Sequence, residues 1–397
     1  STVWHVTRIC PDVASLTPPG ADNVHGVRVD ILTKEYPPNI YGGAGVHVAE
    51  LVKALRSSGI DTQVRAFGEP IDEPGTQGFP DLPELADANG ALKTLGVDLT
   101  MVPAVAGADV VHSHTWYANL AGHLSGLLHG IPHVISAHSL EPMRPWKAEQ
   151  LGGGYAISSF IERTSYEGAA AVIAVSEGMR KDVLASYPQL DPAKVHVVHN
   201  GIDTEVWTPQ TATDALDKHG IDPAAPSVAF VGRIQPLKAP DVLVRAVARM
   251  IEDAPWRREK LRLVIVGGPS GSGLDKPLAL QALARELGVK DVVDFVPPVS
   301  RRELVTWFHA TDVVAVPSHS ESFGLVAIEA SASGTPVVAA AVGGLPTAVG
   351  DGGVLVDGHD PATWAQELAA LLDDPPRIDE LGRRAARHAQ DHSWDAS

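Results

Sequence analysis

The sequence has little that would place it in a membrane or outside the cell. Cys10 is the single cysteine among its 397 residues, so no disulfide can form within the chain. No apolar run approaches the roughly 20 residues of a membrane-spanning helix. The first residues also lack the cationic start and apolar stretch of a secretory signal. These absences predict a protein of the reducing cytoplasm with no membrane span.

Basic charge is also scarce. The chain carries 31 Lys and Arg residues against 48 Asp and Glu residues, for a formal net charge of −17. Proteins that bind nucleic acid usually show a basic footprint, so this balance predicts no nucleic-acid partner. An anionic small ligand would be repelled only slightly, because salt screens charges beyond about 8 Å. Such a ligand would have to be held by a few local cations and by helix N-termini.

A third absence concerns metal ions. The sequence contains no Asp-x-Asp, a pattern that would clamp a divalent ion against a diphosphate. His112 and His114 suggest a metal site, but one pair of histidines is weak evidence for one. We therefore predict neither a metal ion nor another cofactor. Protein cations and helix dipoles would have to neutralise any diphosphate.

What the sequence does contain is a repeated alternation of short apolar strands and helices, which predicts parallel α/β sheets. We predict an N-terminal tail over residues 1–26 and a Rossmann-like domain over 27–205. A polar linker over 206–226 then leads to a second Rossmann-like domain over 227–397. The predicted fold class is α/β, with two doubly wound domains facing an interdomain cleft. Ligands of such sheets bind beyond the carboxyl ends of the strands.

The predicted elements fill each domain in turn. First-domain strands are predicted at Val27–Leu32, Thr62–Phe67, Val110–His112, His133–Ser136, Ala171–Val175 and Val195–Val198. First-domain helices include Gly43–Arg56, Trp116–His129 and Tyr155–Gly168. Second-domain strands are predicted at Val228–Val231, Leu263–Val266, Val292–Val296, Val313–Val316, Val337–Ala339 and Val354–Val356. Second-domain helices include Ser300–His309 with a capping box of Ser300 and Glu303, one beginning near Ser322 and one from Pro361.

Two motifs of the first domain follow predicted strands. A glycine-rich turn, residues 41–45, leads into a helix, so Gly43 can bring the backbone close to a phosphate there. The spacing is not Gly-x-Gly-x-x-Gly, and a tight turn explains it equally well. Glu69 lies near the end of the second strand, so a dinucleotide-binding oxidoreductase stays an alternative function. His138 follows another strand, either as a ligand contact or as a structural cap.

The second domain opens with two cations after its first strand. Arg233 and Lys238 lie where they can reach a diphosphate. Charge-assisted contacts of this kind are worth roughly 1.5–3 kcal/mol each. The alternative is a solvated loop with two ordinary cations. In a net-acidic protein, their position at a strand end favours a binding role.

Two carboxylates eight positions apart form the sharpest motif. Glu321 is predicted at a strand–helix turn, and Glu329 two turns along the following helix. The backbone N–H groups at the helix start would face a phosphate; they belong to Phe323, Gly324 and Leu325. The alternative is a helix cap for Glu321 and a solvent-facing Glu329, which the apolar neighbours Val326 and Ile328 disfavour.

Taken together, these segments resemble the retaining glycosyltransferases of family 4, which have the GT-B fold, from Val27 to Ala396. The first half is similar to the actinobacterial glycogen synthases, also described as maltose-1-phosphate synthases. That similarity is carried by residues 33–47, 112–117, 139–147 and 199–204. The second half is similar to the inositol-phosphate N-acetylglucosaminyltransferases of the mycothiol pathway. That similarity is carried by residues 230–240, 267–271, 321–329 and 343–346.

The resemblance implies a role for each residue that matches a family motif. Arg233 and Lys238 would neutralise the departing diphosphate, while Glu321 would hold donor-sugar hydroxyls. Phe323, Gly324 and Leu325 would offer backbone N–H groups, and Glu329 would bind the ribose hydroxyls. His138 would contact the donor sugar near its 6-hydroxyl, and Gly43 would bring the backbone close to the diphosphate. The residues implied at the acceptor are Arg144 and Trp146. The family transfers the sugar by front-face attack with retention of anomeric configuration, and no protein nucleophile is required.

The two halves imply different substrates. The second half implies a UDP-sugar such as UDP-N-acetylglucosamine, with an inositol-phosphate acceptor. The first half implies ADP-glucose, with an α-glucan or glucose-1-phosphate as acceptor. The chain therefore reads as a mosaic, natural or engineered, and a folded chimeric scaffold that binds donor with little transfer is the alternative. A nicotinamide oxidoreductase and a non-catalytic sugar-binding protein are the rivals from other classes.

Overall fold

This computed structural model describes residues 26–144, 152–210, 214–269 and 276–397. The chain divides at Gly201 into two compact units. The first unit also contains the last four residues, Trp394–Ser397, and the second spans Ile202–Ser393. Among the described residues, no helix is both long enough and apolar enough to cross a membrane.

A seven-stranded parallel sheet forms the centre of the first unit. Its strands are β1 (Arg28–Thr33), β2 (Asp61–Phe67), β3 (Thr76–Phe79), β4 (Val110–His114), β5 (His133–Ala137), β6 (Ala171–Ala174) and β7 (Val195–Val197). They lie in the order β3-β2-β1-β4-β5-β6-β7. The chain therefore reverses its winding between β1 and β4, which are neighbours, and ligands of such sheets bind outside the carboxyl ends of the strands there.

Five helices of the first unit are described: α1 (Gly43–Ser57), α2 (Gly90–Met101), α3 (Trp116–His129), α4 (Gly153–Gly168) and α5 (Glu177–Ser186). The start of α5 is fixed by Ser176, whose side chain accepts the N–H of Met179. Gly130 ends α3 in the left-handed conformation that a side chain would disfavour. Strands β4 and β5 are buried along their whole length, as expected for a sheet covered on both faces.

The second unit is built around a six-stranded parallel sheet. Its strands are β8 (Ser227–Val231), β9 (Arg262–Val266), β10 (Val293–Val296), β11 (Val313–Val316), β12 (Val337–Ala340) and β13 (Gly353–Val356). Their order is β10-β9-β8-β11-β12-β13, so the winding reverses between β8 and β11. Both units thus repeat the same Rossmann-like plan.

Eight helices of the second unit are described: α6 (Asp214–Lys218), α7 (Pro240–Asp253), α8 (Lys276–Glu286), α9 (Arg301–Ala310), α10 (Leu325–Ala332), α11 (Leu345–Val349), α12 (Pro361–Leu372) and α13 (Pro375–Gln390). The predicted capping box of Ser300 and Glu303 is present at the start of α9. In α13, a buried face of small residues and leucine opposes a charged face, which explains why so polar a segment is helical.

The predicted and observed elements differ at three places. The helix expected near Ser322 begins at Leu325, because Gly324 takes a φ of +107° and a helix cannot pass through that conformation. Strand β3 was not predicted, since its short sequence lacks an apolar alternation. The predicted linker lies inside the second unit and contains α6, where Leu216 and Ile221 are buried in a core with Trp307. The predicted tail lies outside the described residues except for Gly26.

Candidate active site

The glycine-rich turn of the first unit wraps around a carboxylate. Glu35 accepts the N–H groups of Tyr41 at 3.1 Å and Gly42 at 2.7 Å. A Cβ atom on Gly45 would lie 2.7 Å from Glu35 Cβ, so this glycine permits the close approach. Gly43 is the first residue of α1 and is exposed. Two of the turn's N–H groups are thus occupied by Glu35, whereas Gly43 lies at the open end of the helix.

The glycine at position 45 gives a direct test of this packing. We expect Gly45→Ala to lower the free energy of unfolding by about 1–3 kcal/mol, because the new methyl group overlaps Glu35 and Ile40. The matched control is Gly90→Ala at the start of α2, where an added Cβ meets nothing within 4 Å. Chemical denaturation of both variants measures the difference. Equal stability of the two variants would contradict the packing described here.

Four histidines gather at the carboxyl ends of neighbouring strands in the first unit. His112 and His114 lie on β4, His138 follows β5, and His47 comes from α1. His114 Nδ1 and His138 Nε2 are 3.0 Å apart, and the His47 and His138 rings meet edge to face at 4.8 Å. His112 Nε2 is anchored to Ser136 Oγ at 2.9 Å. The predicted residue His138 therefore belongs to a larger imidazole cluster.

Burial keeps these rings neutral. It lowers the pKa of His138 to about 4 and that of His112 to about 3. The pKa values of His47 and His114 are also well below the ordinary value, again because burial disfavours the charged ring. A neutral imidazole donates from one ring nitrogen and accepts at the other, and because His138 Nε2 is bonded to His114 Nδ1, Nδ1 of His138 is the nitrogen that can bind a hydroxyl group.

The loop that carries Arg144 is fixed to α4 by buried carboxylates. Glu141 donates its N–H to Glu162 Oε1 at 2.7 Å and accepts from Ser158 Oγ at 2.7 Å. The hydroxyl of Tyr187 donates to the same oxygen of Glu162. Arg144 follows this anchored turn and is half-buried. Trp146, its predicted partner at the acceptor, lies outside the described residues.

In the second unit, the structure brings Lys238 and Glu321 together. The Lys238 ammonium donates to Glu321 Oε2, and both side chains are mostly shielded, with 23% and 16% of their surfaces exposed. The N–H of His319 donates to Leu237 O at 2.9 Å, which ties the two loops to each other. Arg233, the other predicted cation, is exposed. The pair forms because β8 and β11 are neighbours and end at the same edge of the sheet.

The turn before α10 is shaped by three glycines. Besides Gly324, it depends on Gly343 and Gly344, which pack directly on its backbone. The N–H of Gly344 donates to Glu321 O at 2.9 Å, and a Cβ on Gly343 would overlap that same oxygen. Phe323 is buried beneath the turn and Leu325 opens the helix. These contacts fix the backbone of Glu321, which precedes the N-terminus of α10.

Glu329 lies one turn further along α10 and is buried, with 7% exposure. Its Oε1 lies 3.8 Å from Nη2 of Arg301 at the start of α9, and Arg301 in turn lies over the Trp207 ring at 5.3 Å. The solvent-facing alternative is therefore excluded. Arg301 was not predicted, because its approach to Glu329 depends on how α9 packs against α10. His47 and the role of His114 were also missed.

Each of the two Rossmann-like units matches the sequence model of a known protein family. Residues 41–206 match the model described as Glycosyltransferase Family 4, and residues 212–389 match Glycosyl transferases group 1. Fold and site together define a glycosyltransferase of the GT-B class. The chain belongs to the family 4 glycosyltransferases.

Two relatives show how far the similarity extends. Alpha-maltose-1-phosphate synthase from Mycolicibacterium smegmatis is 47% identical over 384 residues, which cover 93% of this chain and 96% of the relative. D-inositol 3-phosphate glycosyltransferase 2 from Catenulispora acidiphila is 41% identical over 376 residues, which cover 90% of this chain and 88% of the relative. Each relative aligns along both units, so neither similarity is confined to one half.

Solved structures show the same fold. Sucrose-phosphate synthase from Thermosynechococcus elongatus superposes with a TM-score of 0.73 at 22% identity, covering 93% of this chain and 96% of that one. Anabaena HepE in complex with UDP-glucose gives a TM-score of 0.75 at 20% identity, with the same coverage of 93% and 96%. These likenesses support the predicted GT-B fold.

Proposed function

We propose that the protein is a retaining hexosyltransferase that moves glucose from ADP-glucose to a sugar phosphate, with glucose-1-phosphate as the first candidate acceptor. The observation that carries the proposal is the shielded Lys238–Glu321 pair at the adjoining ends of β8 and β11. The pair offers a cation that would bind a diphosphate and a carboxylate that would accept hydrogen bonds from sugar hydroxyls. The identity to an alpha-maltose-1-phosphate synthase, 47% along 93% of the chain, supports the choice of a sugar phosphate as acceptor. ADP-glucose is the donor that the resemblance of the first half implies.

The second unit is assigned to the donor. Lys238 and the exposed Arg233 would bind the diphosphate, and the N-terminus of α10 would add its backbone dipoles. Glu321 would accept hydrogen bonds from hydroxyls of the donor sugar, while Glu329 would hold the ribose. In the transfer step, the bond between C1 and the diphosphate oxygen breaks as the acceptor oxygen bonds to C1. The acceptor's proton passes to the departing diphosphate, so no protein base is needed.

The first unit is assigned to the acceptor and to one edge of the donor sugar. His138 would bind a donor-sugar hydroxyl with its neutral ring. Arg144 would bind the acceptor's phosphate from its anchored loop, because a guanidinium group matches a phosphate with two parallel hydrogen bonds. The proposal needs neither a metal ion nor another cofactor.

Arg144 gives a prediction specific to the acceptor. We expect Arg144→Ala to raise KM for the sugar phosphate by about 10- to 100-fold, the equivalent of one charge-assisted contact of 1.5–3 kcal/mol. KM for the nucleotide sugar should change little. Arg144→Lys is the matched variant, since it keeps the charge but loses the two-pronged geometry, and should fall between. An equal rise of both KM values would remove Arg144 from the acceptor site.

A second candidate donor and acceptor follow from the other relative. The 41% identity to a D-inositol 3-phosphate glycosyltransferase favours an inositol phosphate as acceptor. The UDP-sugar is the donor that the resemblance of the second half implies. The structures compared above do not separate the two candidates, because the complex with UDP-glucose belongs to a protein only 20% identical. The choice therefore has to be made by assay.

The test is a matrix of two donors, ADP-glucose and UDP-N-acetylglucosamine, against glucose-1-phosphate, inositol-3-phosphate and glycogen, without added metal. The proposal expects a disaccharide phosphate from ADP-glucose and glucose-1-phosphate, with an α-anomeric proton signal in the product. Product from the UDP-sugar and inositol phosphate would support the second candidate. A β-linked product would contradict retention. Donor binding by calorimetry with no product from any pair would favour the inactive scaffold.

A further inference from the structure

The histidine cluster of the first unit contains three rings that converge from three different elements. One ring nitrogen from each of His47, His114 and His138 lies within 4.8 Å of the other two. We propose that these three side chains form a binding site for a divalent transition-metal ion of the Zn²⁺ type. The ion would be an inhibitor of the transferase and not its cofactor.

The spacing is close to what such an ion requires. In a tetrahedral zinc site with bonds of about 2.0–2.1 Å, two ligand nitrogens lie about 3.4 Å apart. His114 Nδ1 and His138 Nε2 are already 3.0 Å apart. The remaining separations are within 4.8 Å, so the His47 ring would have to turn towards the other two rings to complete the site. The backbones of β4 and β5 are hydrogen-bonded neighbours and hold two of the rings in place.

The rings also have nitrogens to spare. Among the described residues, neither nitrogen of His47 has a hydrogen-bond partner. His114 Nδ1 and His138 Nε2 are bonded to each other, and an ion would replace the proton between them. All three rings are shielded from water, and His47 and His114 are buried. Unsatisfied polar atoms in such a place are costly. An ion that accepts their lone pairs would remove that cost.

The ligand chemistry selects the class of ion. Three neutral imidazoles with no carboxylate favour Zn²⁺, Co²⁺, Ni²⁺ or Cu²⁺ and disfavour Mg²⁺ and Ca²⁺, which prefer oxygen ligands. Three protein ligands leave a fourth position for water. His138 is the least buried of the three.

Other histidine pairs of the chain are less suitable. The ring centroids of His319 and His359 lie 4.0 Å apart in the second unit, with the rings tilted, but Nε2 of His359 is bonded to Ser318 O. His388 and His392 meet at 4.7 Å, and Nε2 of His388 is bonded to Thr347 O. Each of these places offers two rings, and at least one ring nitrogen already has a backbone partner. They serve as controls for adventitious binding.

The inhibitory effect rests on the proposed function. A His138 ring that binds an ion through Nε2 keeps only an N–H donor at Nδ1, so it can no longer accept a hydrogen bond from a donor-sugar hydroxyl. An occupied site would therefore remove that contact from transfer. The presence of an ion at the three rings, by contrast, does not depend on any role in catalysis. The two claims can therefore fail separately.

The test uses the full chain after removal of metal with a chelator. Co²⁺ is titrated while visible d–d absorption is followed, and Zn²⁺ then displaces it in competition with a chromophoric chelator. We expect one tight ion per chain with the intense absorption of a tetrahedral site. His47→Gln and His114→Gln should each weaken binding by at least about tenfold, whereas His359→Gln should bind as the wild type does. Circular dichroism checks that each variant is folded.

Weak or absent Co²⁺ absorption, or binding that is lost in His359→Gln, would overturn the metal site. In a second experiment, Zn²⁺ is added to the transfer assay. It should inhibit the wild type, and a chelator should reverse the inhibition. His47→Gln should need at least about tenfold more Zn²⁺ for the same inhibition, in line with its weaker binding. Tight binding without inhibition would keep the site but contradict the role of His138 in transfer.

Discussion

Replacing Lys238 with alanine is expected to lower kcat about 100- to 1,000-fold, the range seen when one preorganised donor to a developing negative charge is removed. The charge on the diphosphate grows as its bond to the sugar breaks, so the loss should fall on kcat more than on KM. The substitution also leaves the shielded Glu321 without its cation. Steady-state kinetics with a saturating acceptor measures both constants.

The matched control for Lys238→Ala is Arg249→Ala on α7, which removes an exposed cation paired with Glu252 and Asp253. Its kcat should be unchanged. Lys238→Arg keeps the charge and should recover part of the rate. If Lys238→Ala raised KM while kcat stayed constant, Lys238 would bind the donor without stabilising the transition state. Glu321→Gln tests the partner, and full activity there would remove Glu321 from the site.

The second large effect concerns acid stability and one buried ring. His133 on β5 lies against Gly122, its Nε2 is 2.7 Å from Ser113 Oγ, and burial lowers its pKa to about 3. An unfolded histidine titrates near 6.5. Between these values the unfolded chain binds a proton that the folded chain does not, so folding stability falls as the pH falls from 6.5 towards 3. The loss is roughly 1.4 kcal/mol per pH unit.

Glutamine at position 133 can still bond to Ser113 but cannot titrate. His133→Gln should therefore destabilise the first unit at pH 7.5, where it loses ring packing, and this cost should shrink by roughly 1.4 kcal/mol per pH unit below 6.5. Hydrogen exchange of the β4 and β5 amides gives the opening free energy at each pH. Ser113→Ala changes the same hydrogen bond without a titrating group, so its cost should stay nearly constant. Parallel pH curves for wild type and His133→Gln would contradict the assignment.

The sheets were predictable from the sequence because their strands are short, continuous apolar runs such as Val313–Val316, which is bounded by Asp312 and Pro317. A parallel sheet buried on both faces demands such runs. The ion pair of Lys238 and Glu321 was not predicted, although both residues follow strands, and the ends of neighbouring parallel strands meet at one edge of the sheet. The predicted fold and family are confirmed. The roles assigned to individual residues stay predictions.

Other parts of the site could not be read from the sequence. The histidine cluster joins positions 47, 114 and 138, and their meeting depends on which strands are neighbours and on how α1 lies over them. The approach of Arg301 to Glu329 likewise joins two helices whose packing no local pattern specifies. The late start of α10 depends on the backbone angle of Gly324, which permits several conformations and dictates none.

The path of the chain between the units has a consequence for engineering. The second unit begins at Ile202 and ends at Ser393, and these two residues pair in a β-bridge, so its two ends lie side by side. It is therefore an inserted domain, after which Trp394 packs on Gly201 and His47 of the first unit. A domain with adjoining ends can be joined end to end and reopened elsewhere. Residues 202–393 are thus a natural candidate for circular permutation.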